Sequence, residues 1–432
     1  MNEIPKRHGQ EMFNMMGRLW PICRSITGDG VRQTLAILSE KLPEMVIHEV
    51  PTGTRCYDWV IPKEWSIRAA YIIDPEGNRV LDFVDSNLHV VSYSMPVDME
   101  IDLDELQMHL HSLPELPEAI PYVTSYYKEN WGFCLAHSVR QKLVPGRYKI
   151  RIDSDLRDGS LTYGEIFFPG ESGKEVLLST YICHPSMANN ELSGPCVTAQ
   201  LAQWIKGLNR RFSYRIVFVP ETIGAICYIS RNLQHLKAST IAGYVMTCVG
   251  DERAWSFMPS RQGNTLSDRV ARHVLKHFAP AYKEYSFLER GSDERQYCSP
   301  GVDLPISSVM RSKYATYPEY HTSFDNMDLV TMTGLEQAFV AHQKIIEVIE
   351  ADCTPRSLVL CEPKMSDRGL RPTTGKVGSA HSSLDMMNLI VYADGTRSLL
   401  EIAEVINVPA WDLRQTVDKL AGLGVLGIEE DK

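Results

Sequence analysis

The sequence predicts an α/β protein with a mostly parallel sheet covered by helices on both faces, a small inserted β domain and a C-terminal winged-helix-like module. Three observations lead to this prediction. Short apolar runs alternate with amphipathic helical stretches between about residues 125 and 350, which is typical of a parallel sheet. Period-two alternation broken by turn residues marks residues 59–120. Two short helical patterns joined by a tight turn follow residue 356.

The apolar run Val176–Ile182 is predicted to be a central strand, because strands buried on both faces read as continuous apolar segments. His184 leaves the carboxyl end of this strand. A polar loop follows, and a helical pattern begins at Ser193. Open α/β sheets bind their ligands at the carboxyl ends of the strands, so His184 is a candidate functional residue.

The other predicted elements place this strand in a large domain. Two N-terminal helices and a strand precede the β insert, and strands alternate with helices after it. The predicted ranges are Glu11–Ile26, Val31–Lys41 and Met45–Val50 before the insert, then Tyr214–Val219, Gly224–Leu233, Gly243–Val249, Leu266–Phe278, Pro305–Met310 and Leu335–Ile349. We therefore predict a main domain of residues 1–58 and 121–352, an insert of residues 59–120 and a C-terminal module of residues 356–432.

Composition narrows the classes of function. A net charge of −10 argues against a general nucleic-acid binder. The ten cysteines include no CxxC pair, which is typical of a reduced intracellular chain. No segment has the length and apolar content of a signal peptide or a membrane span. We expect a cytoplasmic protein without a membrane partner.

The C-terminal module shows a helix-turn-helix pattern but few cations. Its second helix, Ala410–Leu420, contains two aspartates, and its cations are Arg414 and Lys419. Such a face binds phosphates poorly. The pattern favours a packing or dimerisation module over a nucleic-acid reader, and a homo-oligomer is left open.

Four segments at predicted strand ends carry most of the chemically active groups. They are residues 184–193, 220–224, 291–295 and 320–326. The carboxyl ends of parallel strands share one edge of a sheet, so these segments are expected to converge. Two histidines and several carboxylates in one crevice are the groups that a hydrolytic zinc site with an adjacent base requires.

The same segments resemble the zinc aminopeptidase family that includes bacterial leucyl aminopeptidases, glutamate carboxypeptidase and glutaminyl cyclase. The matching residues are His184, the loop Ala188–Gly194 (ANNELSG), Glu221–Gly224 (ETIG), Thr247–Asp251 and Tyr320–Thr322 (YHT). The insert and the tail extend the resemblance to aminopeptidase-like proteins associated with polysaccharide or secondary-metabolite biosynthesis.

The resemblance implies roles for individual residues. Glu221 stands at the general-base position, and His184 and His321 stand at metal-ligand positions. Asp251 or Asp293 is implied as a third, carboxylate ligand. The implied substrate-binding residues are Asn189, Asn190, Arg295 and Tyr320.

Three departures from the family pattern change the expected metal content. Asn190 stands where the family has a metal-bridging aspartate, and Thr222 stands where it has a second glutamate. The position of the family's strand-end aspartate falls on Thr247 or Cys248, with Asp251 slightly beyond it. A bridged pair of dications needs carboxylate charge, so we expect one zinc ion rather than two.

The sequence thus predicts a zinc-dependent amidohydrolase that cleaves an amide bond in a small peptide or an N-acylated metabolite. One alternative is a degenerate, non-catalytic protein of the same fold that binds a ligand or partner. A second alternative, which the acidic tail disfavours, is a ligand-responsive transcriptional regulator.

Overall fold

The computed structural model describes residues 7–370 and 377–429, which form two compact units. The first unit comprises residues 7–267 and 283–339, and the second comprises residues 268–282 together with the described residues from 340 onward. In these ranges the α-helices are α1 (Arg7–Leu19), α2 (Asp29–Lys41), α3 (Leu103–Gln107), α4 (His137–Arg140), α5 (Ser193–Lys206), α6 (Ile223–Ser239), α7 (Leu266–Phe278), α8 (Glu294–Tyr297), α9 (Met332–Ala351), α10 (Val377–Tyr392), α11 (Leu399–Ile406) and α12 (Ala410–Gly422).

The strands of the same described ranges belong to one large sheet, one smaller sheet and three short pairs. They are β1 (Val46–Pro51), β2 (Arg55–Cys56), β3 (Trp59–Val60), β4 (Glu64–Ile73), β5 (Arg79–Asp82), β6 (Val97–Asp102), β7 (Leu110–His111), β8 (Phe133–Cys134), β9 (Arg147–Arg157), β10 (Ser160–Phe168), β11 (Glu175–Tyr181), β12 (Ser213–Val219), β13 (Thr240–Val245), β14 (Ser256–Met258), β15 (Lys283–Glu284), β16 (Ile306–Met310), β17 (Thr354–Ser357) and β18 (Leu426–Glu429).

The large sheet has the strand order β1-β10-β12-β11-β13-β16-β14-β15. Its centre, β12-β11-β13-β16, is parallel, as predicted. Strands β1 and β10 add antiparallel pairs on one side, and β14 runs antiparallel to β16 on the other. Every residue of β11 is buried, because this strand lies between two neighbours inside the sheet. The α/β architecture is confirmed, with a mixed sheet whose parallel part is the centre.

The smaller sheet has the order β5-β4-β9-β6 and is antiparallel throughout. Three of its strands lie within the predicted insert of residues 59–120, and β9 lies beyond it. The sheet packs on the same hydrophobic core as the large sheet, with Ile72 and Ile150 on one side and Leu177 and Val217 on the other. The insert boundaries remain a prediction.

In the second unit, α10, α11, α12 and the β17–β18 pair form the C-terminal winged helix. Ser398 caps α11 through a capping box with Glu401, and Asn407 ends the helix in the left-handed conformation. Arg414 on α12 donates to the carbonyl oxygen of Ala351 and to Asp418, so one of the two cations of this helix is already engaged.

None of the helices in the described ranges combines the length and the apolar content that a membrane crossing needs.

Candidate active site

The parallel strands at the centre of the large sheet bring the four predicted segments to one edge. Strand β11 ends before His184, β12 ends before Glu221, and the loop after β16 carries His321. These three residues line a cavity of about 430 Å³. Arg295 on α8 lines the same cavity, and part of the remaining wall is aromatic, with Trp59, Tyr122, Tyr126 and Tyr127.

The chain after β11 is shaped to hold His184 in place. A single π-helical turn, Ala188–Leu192, leads directly into α5, and π-helical turns are often found at functional sites. Gly194 lies so close to the neighbouring strand end that a Cβ atom would sit 2.3 Å from the carbonyl oxygen of Met246. The glycine therefore allows α5 to begin against the sheet.

His184 is held between two glutamates. Its Nδ1 atom is 2.8 Å from a carboxylate oxygen of Glu191, and its Nε2 atom is 3.7 Å from a carboxylate oxygen of Glu221. The side chains of His184 and Glu191 are at most 5% exposed. Sequence reasoning included Glu191 in the quoted loop but gave it no role. The hydrogen bond to Nδ1 turns Nε2 toward Glu221.

Burial and charge set the protonation of this group. Burial alone favours neutral His184, but the hydrogen bond and charge of Glu191, with the charge of Glu221, raise the pKa of His184. Burial also raises the pKa of Glu221, against the opposing charges of His184 and Arg295. A carboxylate with a raised pKa in a cavity is a candidate general base.

Arg24 provides a buried positive charge behind His184. Its side chain is fully buried, its Nε donates to the carbonyl oxygen of His184 at 3.0 Å, and Nε lies 3.9 Å from Glu191. Sequence reasoning missed Arg24, since it is 160 residues from His184 and belongs to no motif. Arg24 therefore contacts both His184 and the glutamate that orients it.

His321 lines the cavity next to His184. Its ring centroid is 5.4 Å from that of His184, and its ring stacks on Tyr320 at 3.9 Å. Burial, followed by the charge of His184, lowers the pKa of His321 to about 3, so this imidazole is neutral at neutral pH. Its backbone φ is +56°, a conformation that non-glycine residues rarely adopt and that often marks functional sites.

Neither of the two predicted carboxylate ligands lines the cavity, but only Asp293 lies beside a residue that does. Asp293 is buried beside Glu221: its Oδ1 accepts the N–H of Thr222 at 2.7 Å, and burial together with the charge of Glu221 raises its pKa. Asp251 does not line the cavity. Its two oxygens accept hydrogen bonds from Ser312, Asn189 and the N–H of Arg253, so we do not retain Asp251 as a metal ligand.

The predicted roles of Asn189 and Asn190 in substrate binding also need correction, because neither residue lines the cavity. The side-chain oxygen of Asn189 accepts the N–H groups of Gly250 and Asp251, and the side-chain oxygen of Asn190 accepts from Tyr181. Both asparagines are at most 1% exposed. Both asparagines therefore form hydrogen bonds inside the protein, whereas Tyr320 stacks on the ring of His321.

One compact group of metal-binding residue types occurs in the described ranges, Cys183, His184 and Glu191, with donor atoms within 4.8 Å of one another. Its members are already engaged, since Glu191 accepts from Nδ1 of His184 and the sulfur of Cys183 accepts the N–H of Glu221. Burial raises the pKa of Cys183 well above its ordinary value, so it remains a thiol. This group therefore serves to orient His184.

The donors around the cavity fit one dication. Nε2 of His184 and the imidazole of His321 are nitrogen donors of the kind that zinc accepts, and Glu221 lines the cavity beside them as the candidate base. Within the described ranges, the buried Oε1 of Glu191 and Oδ2 of Asp293 have no hydrogen-bond partner. One dication matches this donor set, whereas the side chains of Asn190 and Thr222 provide no carboxylate for a bridged pair.

Comparison with known proteins shows the family. The model of DUF4910, a domain of unknown function, matches residues 13–352, and a winged helix-turn-helix model matches residues 353–427. The chain belongs to the DUF4910 family. Its C-terminal module is a winged helix, as predicted.

A curated relative of this DUF4910 protein extends over almost the whole chain. It is a Clostridium acetobutylicum protein named for polysaccharide biosynthesis and an aminopeptidase-like domain, 43% identical over 397 residues and covering 91% of both chains. A 2.37 Å crystal structure of a C. acetobutylicum protein named as a peptidase superposes with a TM-score of 0.92 at 40% identity, covering 98% of this chain and 97% of the other.

More distant structures share the fold. BSAP, a zinc aminopeptidase from Bacillus subtilis, superposes with a TM-score of 0.55 at 9% identity, covering 78% of this chain and 95% of that one. The aminopeptidase of Aneurinibacillus sp. strain AM-1 gives a TM-score of 0.50 at 10% identity, covering 77% and 92%. The predicted resemblance to the aminopeptidase fold is confirmed.

Proposed function

We propose that this DUF4910 protein is a hydrolase that cleaves an amide bond in a small peptide or an N-acylated metabolite, using one zinc ion and Glu221 as general base. The observation that carries the proposal is the arrangement of His184. Glu191 fixes its Nδ1 atom, and its Nε2 atom is turned toward Glu221. His184 and Glu221 both line the cavity. Metal-binding histidines are commonly oriented by such a carboxylate on the second ring nitrogen.

In this proposal His184 and His321 hold the zinc ion, and Asp293, buried near Glu221, is the candidate third ligand. A bound zinc ion polarises a carbonyl oxygen and lowers the pKa of a bound water. Glu221 accepts the proton of the attacking water and passes it to the nitrogen of the departing amine. Ser292, which donates to Glu221 at 3.2 Å, keeps the carboxylate in position for both transfers.

One ion rather than two follows from the side chains at two of the altered positions. The oxygen of Asn190 accepts from Tyr181, and the hydroxyl of Thr222 accepts from Arg295. Neither side chain supplies the negative charge that a second dication requires.

A second candidate function is a non-catalytic binding protein. One observation favours it: His184, with its raised pKa, makes a stable charged group with Glu191 and Glu221 without any metal. In that case the cavity would bind a ligand and release it unchanged.

Metal content distinguishes the two functions. We would purify the full chain without a histidine tag and measure zinc by elemental analysis, beside the double variant His184→Ala/His321→Ala. About one zinc per chain, lost in the double variant, is the expected result. A matched control is His48→Ala/His235→Ala, since these histidines also pair with carboxylates, Glu165 and Glu175, but lie outside the cavity.

Hydrolysis is the second measurement. A panel of small peptides, N-acylated amino acids and N-acylated amino sugars would be incubated with zinc-loaded protein, the last class because the C. acetobutylicum relative is named for polysaccharide biosynthesis. Release of a free amine by the native protein, absent in Glu221→Gln, is expected. No zinc uptake on titration and no amine release from any probe would refute the hydrolase and favour the binding protein.

A further inference from the structure

We infer that Arg295 selects substrates that carry a free carboxylate next to the reacting amide, such as an N-acylated amino acid or the C-terminal residue of a small peptide. The inference rests on the proposed function and defines its substrate class. It differs from what an aminopeptidase requires, which is recognition of a free amino terminus.

Arg295 is placed to contact a ligand. It lies on α8 and lines the cavity with Glu221, His184 and His321. Its Nη2 donates to the hydroxyl of Thr222 at 2.6 Å, and its buried Nε has no hydrogen-bond partner within the described ranges.

The partners of Arg295 differ from those of two other partly buried arginines, Arg32 and Arg215. Arg32 and Arg215 each have carboxylate oxygens within 3.1 Å. In the part of the chain that the structure describes, no carboxylate oxygen lies within 4.0 Å of a nitrogen of Arg295. A partly desolvated guanidinium without a carboxylate partner has capacity to bind an anion.

Thr222 explains why Arg295 remains unpaired. Its φ is +64°, which is strained for a β-branched residue, and this conformation directs its N–H to Asp293 and its hydroxyl to Arg295. The resemblance implies a glutamate at this position. A glutamate there would neutralise the guanidinium, whereas the threonine hydroxyl orients it and leaves its charge available.

The chemistry of the cavity defines the ligand further. A guanidinium presents parallel N–H groups that match the two oxygens of a carboxylate, and it repels a protonated amine. The aromatic wall formed by Trp59, Tyr122, Tyr126 and Tyr127 suits an apolar or aromatic side chain on the same substrate. An N-acylated aromatic amino acid satisfies both requirements.

Three matched probes test the inference: N-acetyl-L-phenylalanine, its amide, and L-phenylalaninamide. They differ in whether they carry a carboxylate, no charge or an amine. Binding would be measured by isothermal titration calorimetry to the zinc-loaded full chain carrying Glu221→Gln, so that affinity is separated from turnover.

We expect the acid to bind at least about tenfold more tightly than either other probe, the difference that one paired charge typically provides. Adding Arg295→Gln should abolish the preference, whereas Arg295→Lys should retain part of it. Arg290→Gln is the matched control, because Arg290 is exposed in the segment just before α8 and does not line the cavity. Thermal unfolding of each variant would establish that it is folded.

Equal affinities for the acid and its amide, a preference that survives Arg295→Gln, or no binding of the acid at about 10 mM would each overturn the inference. Failure of the proposed hydrolysis gives a different result. In that case the acid still binds with an Arg295-dependent preference, but the protein with Glu221 intact releases no phenylalanine from it.

Discussion

Nδ1 of His184 lies 2.8 Å from the carboxylate of Glu191, and both side chains are almost completely buried. This pairing fixes which nitrogen of the imidazole is protonated and which is turned toward Glu221. Arg24 lies 3.9 Å from the carboxylate of Glu191, and its positive charge attracts that carboxylate. The orientation of the candidate ligand therefore depends on a residue that does not line the cavity.

Replacing Glu191 with Gln tests this dependence. The amide keeps the size of the side chain but removes the charge that aligns His184, so zinc affinity should fall by about 10–100-fold. The measurement is competition with a zinc chelator of known affinity. Unchanged affinity in a folded Glu191→Gln variant would contradict the orienting role.

Glu221→Gln should lower kcat/KM for amide hydrolysis by about 10²–10⁴-fold, because proton transfer by a positioned base typically contributes that much. Zinc content should remain at the native level. The exposed Glu129→Gln is a control that removes a carboxylate elsewhere. A rate within about twofold of the native rate would exclude Glu221 as the base, since that difference is far below the contribution of a base.

The pH dependence of the same reaction has a defined sign. Burial raises the pKa of Glu221 above the ordinary 4.5 of a glutamate, and only the ionised form accepts a proton. The acidic limb of kcat/KM should therefore lie above pH 4.5, with activity rising as the pH increases through it. A profile that is flat down to pH 4.5 would contradict this assignment.

Sequence reasoning found those site residues whose positions follow from strand ends. His184 and Glu221 each follow a continuous apolar run, and parallel strands bring such residues together. Glu191 and Asp251 show the limit of this reasoning. Glu191 lies in a single π-helical turn and Asp251 in a loop, and at both positions the side-chain direction depends on tertiary contacts that have no sequence periodicity.

The sequence pattern could not predict contacts between residues that are far apart in the chain. Arg24 meets His184 across 160 positions, and Asp325 accepts the N–H groups of residues 188, 189 and 190 from a loop more than 130 positions away. The smaller sheet shows the same limit at the level of the fold. Strand β9 pairs with both β4 and β6 although a long segment of chain separates it from them.

Asp325→Asn should reduce the free energy of unfolding by about 3 kcal/mol, because buried N–H donors would lose their charged acceptor. Asp325 accepts from three consecutive backbone N–H groups and from the hydroxyl of Tyr317. Urea denaturation of the full chain measures the loss. The exposed Asp328→Asn should change it by less than about 0.5 kcal/mol, and equal effects of the two variants would refute the role of Asp325.

His273 gives the second unit a pH-dependent stability. Its Nε2 accepts the N–H of Ala410 at the start of α12, which requires the neutral imidazole. Burial, with the charges of His277, Lys276 and Arg269, lowers the pKa of His273 from 6.5 to about 4. Between these values the unfolded chain binds a proton that the folded chain does not, so the stabilisation is complete above pH 6.5 and is lost as the pH falls toward 4.

Hydrogen exchange of the α12 amides, corrected for the intrinsic pH dependence of exchange, measures this loss in the full chain. Protection should decrease as the pH is lowered from 6.5 to 4 in the native protein. In His273→Gln the amide oxygen can still accept from Ala410 but does not titrate, so the decrease should be smaller. Identical pH dependence in both proteins would show that other groups control the stability of α12.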